Sequence, residues 1–174
     1  MSNLGDQILS KITDSKDLLT RIGSKIPGFS GYIERQERRT SDQLLRKTIA
    51  ARFGEHVGRI SQLQSDFVNQ GELSVLDDIE TAVIRLQTFA DRIRTASRGY
   101  SGVFDAVKID EEALNKILQY DNTLLETSDQ VSKAIDHVQA SIGTDGLQAS
   151  IRNLQAVSQQ CIDAFNKRDE IVLI

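Results

Sequence analysis

Proline is nearly absent from this chain of 174 residues, and its scarcity is the first guide to the fold. The single proline is Pro27. Because proline is the strongest common breaker of helices, a chain with one proline can form long helices. Its regular pattern is interrupted instead at three Gly-x-x-Gly stretches, which begin at Gly28, Gly99 and Gly143. We interpret these stretches as the turns between helices.

The residues that usually build metal and catalytic sites are also scarce. Cys161 is the only cysteine, so the chain cannot form an internal disulfide, and its place on an apolar stripe predicts a buried, inert thiol. His56 and His137 lack the glutamate three residues upstream that di-metal helical bundles use, and we expect both to be surface or structurally satisfied residues. No phosphate-binding or dinucleotide-binding loop is present. We therefore expect no metal, no cofactor and no enzymatic activity.

Long apolar runs and excess positive charge are missing as well. No stretch approaches the roughly 18–20 apolar residues that span a bilayer, and the beginning of the chain does not resemble a secretory signal. The formal net charge of −4 argues against general binding to nucleic acid. The sequence therefore predicts a cytoplasmic protein that does not bind nucleic acid.

What the chain does have is helical periodicity over most of its length. An amphipathic first helix is expected over 1–26, a bundle core over 33–170, and a short apolar tail over 171–174. Within the core, helices are predicted over 33–70 and 72–98, with two more after residue 110 and after Gly146. Short connections favour antiparallel neighbours. The predicted fold is an all-α, elongated antiparallel up-down bundle of four to five long helices, forming one domain.

Apolar residues at helical spacing predict the faces that point inward. Within 33–70 these are Leu45, Ile49, Phe53, Val57, Ile60, Leu63 and Phe67. Within 72–98 they are Leu76, Ile79, Val83, Leu86, Ala90 and Ile93. Gly54 and Gly58 each cost about 1 kcal/mol in a helix interior, which suggests a closely approaching helix or a bend. Gly71 is expected to end its helix in the left-handed conformation.

Asp121 and Ser128 are the polar residues predicted to be buried, because both occupy inward positions one heptad apart. A buried carboxylate is costly unless it is paired. The structural interpretation is a polar pair that fixes the register of the helices, or an inward stripe that drifts to the edge of the helix interface at these residues. The other is a carboxylate in a ligand-binding or catalytic pocket, and the sequence leaves both open.

Aromatic residues mark the best candidate site. Phe29 and Tyr32 lie at the first glycine stretch, and Tyr100 and Phe104 at the second. In an up-down bundle both stretches fall at the same end, where the aromatics form either a hydrophobic cap or a partner-binding surface. The predicted partner-binding residues are Phe29, Tyr32, Arg35, Arg38, Arg39, Tyr100 and Phe104.

Charge is unevenly distributed along the chain. Residues 34–59 carry a net charge of +3, from seven basic and four acidic residues, and 105–136 carry −5, from eight acids and three lysines. The two segments either complement each other inside the molecule, or the arginines at 35–39 form a docking patch for an acidic partner or anionic lipid.

Three functions follow from these patterns. The first hypothesis is a non-enzymatic adaptor or scaffold that binds a protein partner through its aromatic end and associates with a second copy of itself. The second is a peripheral membrane protein that uses the amphipathic helix at 1–26. The third is a ligand-binding or enzymatic bundle with a pocket near Asp121.

Overall fold

The computed structural model describes residues 17, 20–28, 38–95 and 111–172, and leaves the side chains within 38–43, 111–118, 121 and 168–172 undescribed. Four long helices make up most of this part of the chain: α1 (Arg38–Gln70), α2 (Leu76–Thr95), α3 (Glu111–Ala140) and α4 (Leu147–Val172). Residues 20–25 are also helical, and no strand occurs among the described residues. The predicted all-α class is confirmed.

A glycine turn joins α1 to α2. Gly71 has a φ of 76°, in the left-handed region that favours glycine, which confirms the expectation for this residue. Its N–H donates to the carbonyl of Val68 at 3.1 Å, and the N–H of Glu72 donates to that of Phe67 at 2.9 Å. One 3-10 turn, Leu73–Val75, precedes α2. The connection is therefore short, and α1 and α2 form an antiparallel hairpin with an extensive shared interface.

The second hairpin has a similar turn. The φ of Gly143 is 75°, and the helices on either side pack against each other. Thr144 organises the start of α4, because its hydroxyl accepts the N–H of Gly146 at 3.3 Å and its carbonyl accepts that of Leu147 at 3.3 Å. Helices α3 and α4 are therefore antiparallel as well.

The two hairpins lie side by side with their turns at the same end. His56 and Arg59 of α1 contact Ser128 and Ser132 of α3, so residue numbers rise together along these two helices. Helices α2 and α4 pair in the same sense, through Asp78 with Gln155 and Arg92 with Asn166. Helix directions alternate along the chain, but the helices that meet between the hairpins are parallel. Helix α1 then lies diagonally opposite α4.

Aromatic rings join three of the helices at the centre of the core. The ring centroid of Phe89 lies 4.4 Å from that of Phe53 and 6.1 Å from that of Phe165. The guanidinium carbon of Arg92 lies over the Phe165 ring, 4.5 Å from its centroid. Full burial of each such side chain contributes about 1.5–3 kcal/mol to folding.

The inward faces differ in detail from the predicted seams. In α2, Ala82 and Phe89 are buried, whereas Leu76 and Val83 are only half-buried. Because α2 packs against both α1 and α4, it needs a wider apolar stripe than one heptad seam provides. The remaining predicted positions of α2, from Ile79 to Ile93, are buried.

Candidate functional site

The predicted aromatic site lies largely outside the described residues. Phe29, Tyr32, Arg35, Tyr100 and Phe104 are not described, and neither are the side chains of Arg38 and Arg39. The structure does describe the helices that border this site. Since α1 is antiparallel to α2 and parallel to α3, the first residue of α1, the last of α2 and the first of α3 lie at one end of the bundle. We call this end, opposite the two hairpin turns, the open end.

The last turn of the N-terminal helix packs on the bundle. Ile22 and Ile26 are buried and belong to the main hydrophobic core. Arg52 of α1 donates from Nη2 to the carbonyl of Lys25 at 2.8 Å and holds the end of this turn. At these two positions the apolar side chains therefore already have a protein partner. No helix among the described residues is both long and apolar enough to cross a bilayer.

A buried polar contact joins the two hairpins. Nε2 of His56 and Oγ of Ser128 lie 2.9 Å apart, and the His56 ring meets the edge of Phe53 with centroids 5.7 Å apart. His56, and not the expected Val57, faces inward at this turn, while Val57 is half-buried. His56 lies three residues after Phe53 and four before Ile60, so helical spacing from these two buried residues predicts that His56 faces inward. The hydrogen bond to Ser128 offsets part of the cost of burying an imidazole.

Burial also decides the charge of this imidazole. Desolvation is the main cause that lowers the pKa of His56, and the nearby Arg59 lowers it further. The contact with Ser128 and the carboxylates of Glu55 and Asp129 oppose the shift without cancelling it. The imidazole is therefore neutral near pH 7. Its Nδ1 is buried and has no hydrogen-bond partner among the described residues.

The distance between Nε2 of His56 and Oγ of Ser128 is typical of a serine nucleophile and its general base, but the other features of such a catalytic pair are not found among the described residues. Ser128 is 2% exposed, so a substrate cannot reach its hydroxyl in the folded protein. A catalytic histidine is normally oriented by a third group on its other nitrogen, and no described residue bonds to Nδ1 of His56. The contact therefore serves to align α1 with α3. The side chain of Asp121, the other predicted buried polar residue, lies outside the described part of the chain.

The cysteine is also unsuited to chemistry. Cys161 is buried, and its Sγ donates to the carbonyl of Val157 at 3.3 Å. Burial raises the pKa of the Cys161 thiol to about 12. Since the thiolate is the nucleophile and the metal ligand, this side chain is inert at neutral pH. No group of three or more histidine, cysteine, aspartate and glutamate side chains in the described ranges is placed to hold a metal ion.

Exposed apolar residues single out the α1–α2 hairpin. Val68, Leu73 and Ile84 are 53%, 62% and 58% exposed, and they are the exposed large hydrophobic residues of the described part. An open groove of about 510 Å³ runs between the two helices and is lined by Ser61, Gln64, Ser65, Val68, Asn69, Leu76 and Glu80. We call this outer side of α1 and α2 the hairpin face. The sequence does not predict this face, because Val68 and Ile84 directly follow the predicted inward residues Phe67 and Val83.

Gly54 and Gly58 lie at helical spacing from Ser61 and Ser65 of the hairpin face. Both glycines are exposed, and no described atom outside their own stretch of helix lies within 4 Å of a β-carbon placed on either. The close approach of a neighbouring helix, one of the two interpretations of these residues, is therefore not found within the described chain.

Comparisons with protein-family models, curated proteins and solved structures found no match to this chain.

Proposed function

We propose that the protein is a non-enzymatic helical interaction module, an adaptor or scaffold of the cytoplasm. It binds a protein partner through the aromatic residues at its open end. Tyr100 and Phe104 supply the apolar contact, Phe29 and Tyr32 extend it, and the arginines at 35, 38 and 39 surround it.

One observation carries this proposal. The helix ends that border the two aromatic connections lie at the same end of the bundle, because α1 and α3 run in the same direction. Two connections anchored at one end can present a single surface, whereas connections at opposite ends cannot. Large aromatic side chains with arginines around them are the usual composition of a protein-binding hot spot.

The described interior supports a binding function over a catalytic one. Each of several buried polar side chains bonds across helices, as His56 does with Ser128, or to its own helix, as Ser158 does, whose hydroxyl donates to the carbonyl of Leu154 at 2.7 Å. Nδ1 of His56 and Oδ1 of Asn122 have no partner among the described residues. Such groups stabilise and align a scaffold. A rigid scaffold that positions loops at one end is a common basis for recognition.

The test is capture of partners from a lysate of the native source by immobilised protein. Replacing Tyr100 and Phe104 together with serine should abolish capture of the specific partner, because truncated hot-spot aromatics typically cost 2 kcal/mol or more each, about a 30-fold loss of affinity. Circular dichroism should show unchanged helical content.

The matched control exchanges the two aromatics, Tyr100→Phe with Phe104→Tyr. This variant keeps the aromatic area and should keep the partner. An unchanged set of captured proteins in the serine variant, with the fold intact, would refute the aromatic end as the binding surface.

A further inference from the structure

We propose that the hairpin face is a self-association surface, on which a second copy of this chain docks in antiparallel orientation around a two-fold axis. This surface is separate from the open end and does not depend on the function proposed above. Four features of the face support it: its apolar content, its small residues, its charge and its lack of a cover within the described residues.

The face has apolar side chains that the described chain leaves exposed. Val68 lines the groove, and Ile84 lies one helical turn beyond Glu80, another lining residue. Half-buried Leu76 and Val83 lie at the same side of α2 and pack against the core beneath. Exposed apolar residues collected on one hairpin, with polar residues between them, are typical of a surface that another protein covers.

Small residues make the centre of the face flat. Gly54, Gly58, Ser61 and Ser65 follow one another at spacings of four, three and four residues along α1, and all are exposed. A facing helix can therefore approach the backbone of α1 closely. The closest approach is expected near Gly58, where no described side chain occupies the space beside the helix.

The charge of the face identifies the second copy as the occupant. Glu80 lines the groove, exposed Glu72 and Asp77 lie near the hairpin turn, and residues 60–84 contain no base, so this end of the face is acidic. Lys47 and Arg94, both exposed, lie at helical spacing on the same face toward the open end. Arg94 makes only a half-exposed contact with Asp91, at 3.3 Å. One face that is acidic at one end and basic at the other is complementary to itself when reversed.

The positions of the charges agree with a two-fold axis near Gly58. At about 1.5 Å per residue, Lys47 lies about 17 Å from Gly58 in one direction, and Asn69 lies equally far in the other. Glu72 comes just after Asn69. In an antiparallel pair, Lys47 of each copy therefore meets the region of Glu72 in the other, and Arg94 meets the acidic first turn of α2, which contains Asp77.

The experiment measures the mass of the full chain by light scattering and sedimentation from about 1 to 200 µM, a range that covers weak and moderate dimers. We expect the mass to rise from one chain to two. Ser61→Arg with Ser65→Arg should leave a monomer with unchanged helical content. The matched control, Ala156→Arg, places the same side chain at an exposed position of α4 and should still dimerise.

Charge reversal tests the antiparallel orientation. Lys47→Glu should weaken the dimer about tenfold, because two symmetric attractions become two repulsions. Adding Glu72→Lys in the same chain reverses both partners and should restore the dimer. A parallel or unrelated interface would show no such rescue, and that result would overturn the proposal.

A cysteine at the centre of the face distinguishes a second copy from the chain's own segments. Cys161 is inert, so in Ser65→Cys only the new thiol reacts in the folded protein. We expect it to be protected at high protein concentration and labelled on dilution. Equal protection at every concentration would mean that the face is covered within one molecule, and a protein that remains monomeric throughout the range would equally refute the proposal.

Partner capture through Tyr100 and Phe104 should be unaffected by Ser61→Arg and Ser65→Arg.

Discussion

His56 shows how a single residue connects the two halves of the molecule. Its imidazole is buried between α1 and α3 and makes one hydrogen bond with Ser128, while Nδ1 has no partner in the part of the chain that the structure describes. Burial favours the neutral form, so the unfolded chain, in which the imidazole is hydrated, binds a proton more readily than the folded one. The joint between the hairpins is therefore sensitive to acid.

Burial of His56 makes the folded protein less stable as the pH falls. The pKa of His56 is lowered on folding from the ordinary 6.5, so its contribution to stability is complete above pH 6.5 and is lost as the pH falls toward the folded pKa. We predict that the free energy of unfolding, measured with urea from about pH 7.5 to about pH 5, decreases less in His56→Gln than in the natural protein.

The glutamine keeps a polar group for Ser128 but does not titrate. His137 lies on the exposed side of α3, and His137→Gln is the matched control, which should keep the natural dependence. Equal slopes for His56→Gln and the natural protein would contradict the assignment of His56 as the acid-sensitive residue.

At the scale of the helices, the glycines within α1 and the one directly after it have opposite roles. Gly54 and Gly58 are helical and exposed, with open space beside them. Gly71 has a positive φ and closes the helix. The first two cost stability through backbone entropy, whereas the third provides a conformation that other residues adopt only with strain.

We predict that Gly54→Ala and Gly58→Ala each raise the free energy of unfolding by about 0.5–1 kcal/mol, whereas Gly71→Ala lowers it by about 1 kcal/mol. Urea unfolding at a low protein concentration, where any dimer is dissociated, checks both signs. Destabilisation by Gly54→Ala in the monomer would show that something within the chain packs against this position.

The helices themselves were largely predictable. Scarce proline and glycine-marked turns gave four of them, with the end of α1 at Gln70 and the turn at Gly143 as expected. The sequence did not predict the 3-10 turn Leu73–Val75, because Glu72 to Val75 also fit a helix and only the geometry of the cap at Gly71 delays α2. The sequence did not predict the burial of Phe89, because a single heptad seam describes contact with one neighbouring helix, whereas α2 contacts two helices.

Burial of polar residues was harder to predict. The sequence favours apolar Val57 over His56 as the inward residue, because an imidazole without a partner is costly to bury. The hydrogen bond with Ser128, 72 positions away in sequence, removes part of that cost. Ser128 was assigned inward by spacing alone, without a partner. Long-range pairs of this kind depend on how the hairpins align, which periodicity does not reveal.

At the scale of the whole molecule, the parallel alignment of the two hairpins gives the bundle two different ends. One end carries both tight glycine turns. The other receives the first residues of α1 and α3 and the last residues of α2, which border the two aromatic connections in sequence. The segments of opposite charge also meet in this arrangement, since Arg59 pairs with Asp136 and donates to Ser132 at 3.0 Å. The proposed function depends on this arrangement of ends.

The distance between the two aromatic connections decides whether they form a single surface at the open end. Spin labels on Ser30→Cys and Ser101→Cys, with inert Cys161 unlabelled, would report it by pulsed electron resonance. A control pair at residues 30 and 145 should be separated by about the length of α1, roughly 50 Å for its 33 residues. We predict a separation of less than about 25 Å for the labels at residues 30 and 101, half the length of α1. A separation close to that of the control would contradict a single surface at the open end.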